Sequence, residues 1–329
     1  MTRRSISWLA WGLGVFSFLL GAMSVVLYTL NNGLTGLASP TTSFGDASIG
    51  IAFPLVGALI ASRRPENAVG WLLIVCGLFQ GTSAFTNQYA IYALVTNPNV
   101  LPQGTIANWM ETWVWLPGFA LTATFLLLLF PNGHLPSGRW RPVTWVSAAV
   151  ITIGPVSMML VPWKDVQAPV PGENPIGIPG SEKIFEALIF GSFLVGIVVG
   201  TLSLISLILR FHRSTGQERR QLEWFVYGGV IFVIGILAGI PFQNTSTAAT
   251  IDNWAQGITP YVMAAAIGIA ILRYRLYDID RIINRTLVYL LLTASLAATY
   301  VVGILVLQYL FSPITQRSDI AIALSTLAV

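Results

Sequence analysis

The sequence predicts an all-α fold: a polytopic transmembrane helical bundle of nine complete spans and a truncated tenth, with its N-terminus in the cytoplasm. Three observations predict it. Hydrophobic residues make up 55% of the 329 and charged residues only 9%, where a soluble domain carries about 25% charge. The mean hydropathy is +0.73. The apolar residues also fall in runs of membrane-crossing length, about 20 residues with a range of roughly 17–25. So few charges could not cover a soluble surface. Apolarity removes the disordered class, and the single Cys76 removes the disulfide-scaffold class.

The runs are residues 6–30, 44–61, 69–94, 106–130, 143–162, 184–209, 224–242, 254–272 and 286–311, with a tenth starting at Ile320. The first follows Arg3 and Arg4 but is too long for the apolar region of a signal peptide, so it reads as an anchor. The loops set the orientation. The N-terminus and the loops 62–68, 131–142, 210–223 and 273–285 hold fourteen of the seventeen basic residues. Only Lys164, Lys183 and Arg317 fall on the other side. The positive-inside rule places the arginine-rich side in the cytoplasm, facing anionic inner-leaflet lipid. The acids lean the other way, with Asp46, Glu111, Asp165, Glu173, Glu182, Glu186, Asp252 and Asp319 outside. The pI of 9.4 is thus a topology signal, and no nucleic-acid partner is expected.

The deep middle of every span lacks Asp, Glu, Lys, Arg and His; Glu111 and Glu186 sit towards outer ends, near water. This weighs against a voltage sensor or a proton-coupled transporter. His134 and His212 lie in separate loops with no ligand at metal spacing, and no nucleotide loop or HExxH is present. No catalytic residue, cofactor or metal is expected. Arg210, Phe211, His212 and Arg213 read as a basic interfacial collar, and Cys76 as a packing residue. Small residues at helical spacing (Ser192, Gly196 and Gly200; Gly235 and Gly239; Ala264 and Gly268) point to close helix contacts. Pro54, Pro117, Pro155 and Pro260 are expected kinks.

One polar stripe stands out. Cys76, Gln80, Ser83 and Asn87 share a face of the third span, and Glu111 and Trp113 begin the fourth. Two readings stay open. The stripe is interhelical glue beside an aromatic belt, or Gln80, Ser83, Asn87, Glu111 and Trp113 line an outward-facing ligand pocket.

Four segments carry more information than the spans. They are LLLLFPNGHLPSGRWR at 126–141, ILRYRLYDIDRIINRTLVY at 271–289, RRP at 63–65 with GWLL at 70–73, and ERRQLEWF at 218–225. Together they resemble the polytopic N-terminal input region of a family of bacterial sensor histidine kinases. The resemblance implies a single bundle over residues 1–329 acting as a sensor module. It also implies a homodimer, and a response regulator reached through a cytoplasmic kinase domain that these residues do not contain. The parent protein is expected to continue beyond Val329. Residues 273–285 would couple bundle to output. Leu272, Leu276, Ile279 and Ile283 form one apolar row, with Arg273, Arg275, Asp278, Arg281 and Arg285 opposite, as in an interfacial amphipathic helix or a basic topology loop. The function expected is a membrane-embedded sensory input. The alternatives are a transporter or channel for neutral or lipidic solutes, or a structural membrane subunit.

Overall fold

The computed structural model describes residues 3–31, 40–98, 100–162, 169–237 and 246–273. Among them all regular structure is helical. The helices are α1 (Arg3–Leu30), α2 (Pro40–Arg63), α3 (Ala68–Ile91), α4 (Gly104–Leu121), α5 (Arg141–Leu160), α6 (Glu182–Arg213), α7 (Gly216–Leu237) and α8 (Ser246–Gly268). Single π-helical turns extend α3 over Tyr92–Thr96, α4 over Thr122–Leu126 and α8 over Ile269–Arg273. A last α-turn, Leu127–Leu129, completes the α4 rod.

Six helices are long and apolar enough to cross a membrane: Arg4–Leu30, Gly45–Arg63, Ala68–Thr96, Gly104–Leu129, Gly138–Leu160 and Glu182–Arg213. They match the first six expected spans within a few residues. α7 and α8 occupy the positions of the seventh and eighth, but their described residues fall short of that measure, only Gly257–Arg273 making a shorter apolar helix. The ninth and tenth expected spans, and the expected connector beyond Arg273, lie outside the described residues.

Local chemistry sets the boundaries. α2 stops at Arg63, two residues before Pro65, and Asn67 caps α3 by accepting the Val69 N–H at 3.0 Å. Pro142 sits in the first turn of α5, where its missing N–H costs nothing. The helices run through Pro54, Pro117, Pro155 and Pro260 without breaking.

α3 is the centre of the bundle, packed on α1, α2 and α4. α8 lies on α2 and α7, while the α5–α6 pair leans on α4. The closest seam joins α2 to α3. A Cβ on Gly50 would stand 2.5 Å from the Cα of Gly81, and one on Gly77 would stand 2.3 Å from the Pro54 ring. The helices meet there backbone to backbone. Of the small-residue steps expected to pack closely, Gly235 does so against Thr259 of α8, whereas Gly196 and Gly200 make only ordinary contacts. Gly239 lies outside the described residues. The outward faces of α1 and α6 carry large apolar side chains such as Trp8, Phe16, Phe190 and Ile197, the surface expected to face lipid.

Candidate functional site

Two polar assemblies occupy opposite ends of α3. The first lies at the arginine-poor end. Ser83, fully buried on α3, bonds through its hydroxyl to the Asp46 carboxylate of α2 at 3.2 Å and the Glu111 carboxylate of α4 at 2.9 Å. The two carboxylate oxygens are therefore no further apart than these distances laid end to end, about 6 Å. Thr86 donates to Glu111 at 3.3 Å, and Asn87 also hydrogen-bonds it. A serine hydroxyl has one hydrogen, so it cannot fully serve two carboxylate acceptors. Among the described residues no Lys, Arg or His pairs with either acid.

The network continues sideways. Gln88 donates to Asn87 at 3.1 Å, Asn31 at the end of α1 donates to the Gln88 side chain at 3.0 Å, and Thr96 donates to Asn31 at 2.7 Å. Thr96, Asn31, Gln88, Asn87, Glu111, Ser83 and Asp46 thus form one hydrogen-bonded run linking the first four helices. Its amide members are almost wholly buried, Gln88 at 1% and Asn31 at 3% exposure.

Of the five residues expected at an outer pocket, Ser83, Asn87 and Glu111 meet in this run. Gln80 lies one turn deeper, beside Gly118 of α4, and its side-chain oxygen is buried without a partner. Trp113 turns to a different side of α4. Its ring packs on Trp109, whose indole donates to the Met159 carbonyl of α5, and its own indole nitrogen is buried unpartnered. Glu111, expected near water at a span's outer end, is half-buried, with its carboxylate on the buried hydroxyls of Ser83 and Thr86. Asp46, Asn31 and Asn108 were not expected at a site, whereas Gln88 belongs to the polar outer half of the third span. Asp46 sits one turn before Gly50 of the glycine seam, and that spacing was the available signal. Of the connector residues, Arg273 is exposed at the end of α8; Arg275, Leu276, Asp278, Ile279, Arg281, Ile283 and Arg285 lie outside the described residues.

The second assembly is a clasp at the arginine-rich end. Asn67, while capping α3, donates to the Pro131 carbonyl at 3.1 Å. Gly133 has φ +77°, and a Cβ there would stand 2.7 Å from the Ala68 nitrogen, so the turn requires glycine. Arg210 of α6 donates to the Phe130 and His134 carbonyls and reaches Glu218 of α7 at 3.8 Å. Asn132 donates to Glu218 at 3.5 Å. Phe130 stacks on Phe225 of α7 with centroids 4.1 Å apart. Arg210 is thus a largely buried tie, not the headgroup-facing collar residue the sequence suggested, because two loop carbonyls need its donors. Arg219 fills part of the surface role, lying 4.6 Å over the Phe211 ring and pairing with Glu223.

No family model, no curated protein and no solved structure matches this chain. Among the described residues no group of three or more His, Cys, Asp or Glu could hold a metal ion. The first assembly can rearrange its hydrogen bonds and respond to a positive species. The second ties the start of α3 and the end of the α4 rod to α6 and α7.

Proposed function

We propose that this chain is the membrane-embedded sensory input of a bacterial signalling histidine kinase. In this reading it crosses the inner membrane nine times or more from a cytoplasmic N-terminus, and it reads its stimulus at the Asp46–Ser83–Glu111 network. One observation carries the proposal: α3 is fixed at one end in that network and at the other in the clasp. The clasp is built from three of the segments that bear the family resemblance, around 63–73, 126–141 and 218–225. Uncompensated carboxylates in a low-dielectric bundle are costly. The network's arrangement therefore follows whichever positive species, proton or small cation, reaches it. A change there shifts α3 and α4, and the clasp passes the shift to α6 and α7 as a repacking of helices.

The test is a fusion of residues 1–329 to a histidine-kinase core, with autophosphorylation measured as external pH and cation concentration vary. The expected result is a graded response that D46N and E111Q hold at one level. The opposing reading, a transporter, draws on the same buried acids. Solute or proton flux through the protein in sealed vesicles, with no kinase response, would establish it instead. Reporter fusions after Arg64, Arg141, Arg220 and Arg285 should report cytoplasm, and those after Asn97, Gly172, Asn244 and Ser312 the opposite side. Two adjacent reversals would overturn the topology.

A further inference from the structure

The loop between α5 and α6 is Pro- and Gly-rich, and between residues 169 and 181 only Val170 is buried. Two prolines, Pro169 and Pro171, flank it, each with its own φ fixed and no N–H to offer. Its burial site is specific. Val170 packs on Ile91 of α3, with Leu94 and Val95 beside it. Asn108 of α4 spends its whole amide on the same residue, donating to the Val170 carbonyl at 2.7 Å and accepting the Val170 N–H at 3.0 Å. Ile91 is one helical turn beyond Asn87, and Asn108 is one turn beyond Glu111, both towards the arginine-poor end. Val170 therefore sits in the α3–α4 seam directly over the carboxyl network. Further along, the loop is hinged to the end of α5. Asn174 donates to the Met159 and Val161 carbonyls at 2.9 and 2.7 Å, and the Ile178 N–H donates to the Leu160 carbonyl at 3.0 Å.

We propose that the segment around Val170 is a removable lid: seated by Asn108, it keeps water and small solutes from the Asp46–Ser83–Glu111 network, and lifted, it opens that network to the aqueous side. The attachment suits the task. Among the described contacts, the Val170 side chain and Asn108 seat the closed position, while the hinge at Asn174 uses separate bonds. Lifting Val170 returns both its backbone groups and the Asn108 amide to water, so nothing is left buried and unpaired. This inference deepens the proposed sensing role of the network, but its test reads access alone and stands whether or not a kinase responds.

The experiment uses the full chain in sealed vesicles with S83C as a reporter thiol and the native Cys76, seven residues deeper on α3, as an internal reference. A membrane-impermeant methanethiosulfonate is applied, and labelling of the two peptides is followed by mass spectrometry. With the lid intact the S83C thiol should react slowly. N108L, which removes both bonds, and V170G, which removes the plug, should each speed S83C labelling at least tenfold while Cys76 stays protected. Unchanged S83C labelling in both variants would overturn the lid. So would fast labelling with the lid intact, or a parallel rise at Cys76 showing that the whole bundle had loosened. A network that is gated in this way, beside a kinase fusion that ignores pH and cations, would separate the failure of the sensing proposal from that of the lid.

Discussion

The two ends of α3 use the same helix for opposite purposes. At the clasp, donors and acceptors are matched: Arg210 is met by two carbonyls and Glu218, and Asn67 by a backbone N–H on one side and a carbonyl on the other. At the network, two carboxylates compete for one serine hydrogen with no cation among the described residues to balance them. A matched assembly loses stability whichever member is removed. An under-supplied one gains when an acceptor is exchanged for a donor, as is common where a site serves function over stability.

The sharpest way to break this comparison is at Phe130. It is fully buried against Phe225, so F130A should lower stability by about 3–5 kcal/mol, seen as a fall in the midpoint of thermal unfolding in detergent followed by tryptophan fluorescence. R210A comes next. It strips a charged donor from two carbonyls and should cost roughly 2–3 kcal/mol, with R210K recovering only part because lysine lacks the fork that reaches both oxygens. E111Q should move the other way. Its amide supplies the missing donor and removes a charge, so stability should rise by about 1 kcal/mol and the midpoint should move up. A loss as large as that of R210A would show that both ends are merely structural. The smallest effect is expected at the edge of the network, where N31A removes one interhelical tie and should cost about 0.6 kcal/mol, and not above roughly 1.7.

The first six spans were legible because helix length and apolarity are regional properties that survive any local error. The stripe of Ser83 and Asn87 was legible for a related reason: polar residues repeated at helical spacing in an apolar run stand out by contrast. Asp46 escaped because it lies near the start of its helix, where an acid reads as a loop residue counted towards topology. Asn31 and Asn108 escaped because each is a single amide near a helix end, and only the packing of the helices gives them partners. The closest helix contact was also missed. Gly50 and Gly57 on α2, with Gly70, Gly77 and Gly81 on α3, recur at seven- and four-residue steps, yet the expectation named only steps in later helices, of which Gly235 packs as closely and Gly196 and Gly200 do not. Trp113 was misplaced since spacing along a chain does not say which neighbour a face will meet. The arginines of the clasp were read as one topology signal, and nothing in their count distinguishes Arg210, which points inward, from Arg219, which lies on a ring.

The glycine seam has a consequence for the membrane itself. Helices held by side chains can slide past each other a turn at a time, but α2 and α3 touch through their backbones at Gly50 and Gly81, where Cα meets Cα. They travel as one strut. Ser83 lies fifteen residues from the start of α3 at Ala68, which at 1.5 Å per residue is about 22 Å along a helix crossing a hydrocarbon layer of roughly 30 Å. The depth of the carboxyl pair below the lipid headgroups is therefore set by the strut and not by the acids. A bilayer of different thickness meets a fixed rod that can only tilt as a whole, carrying Asp46 and Ser83 together.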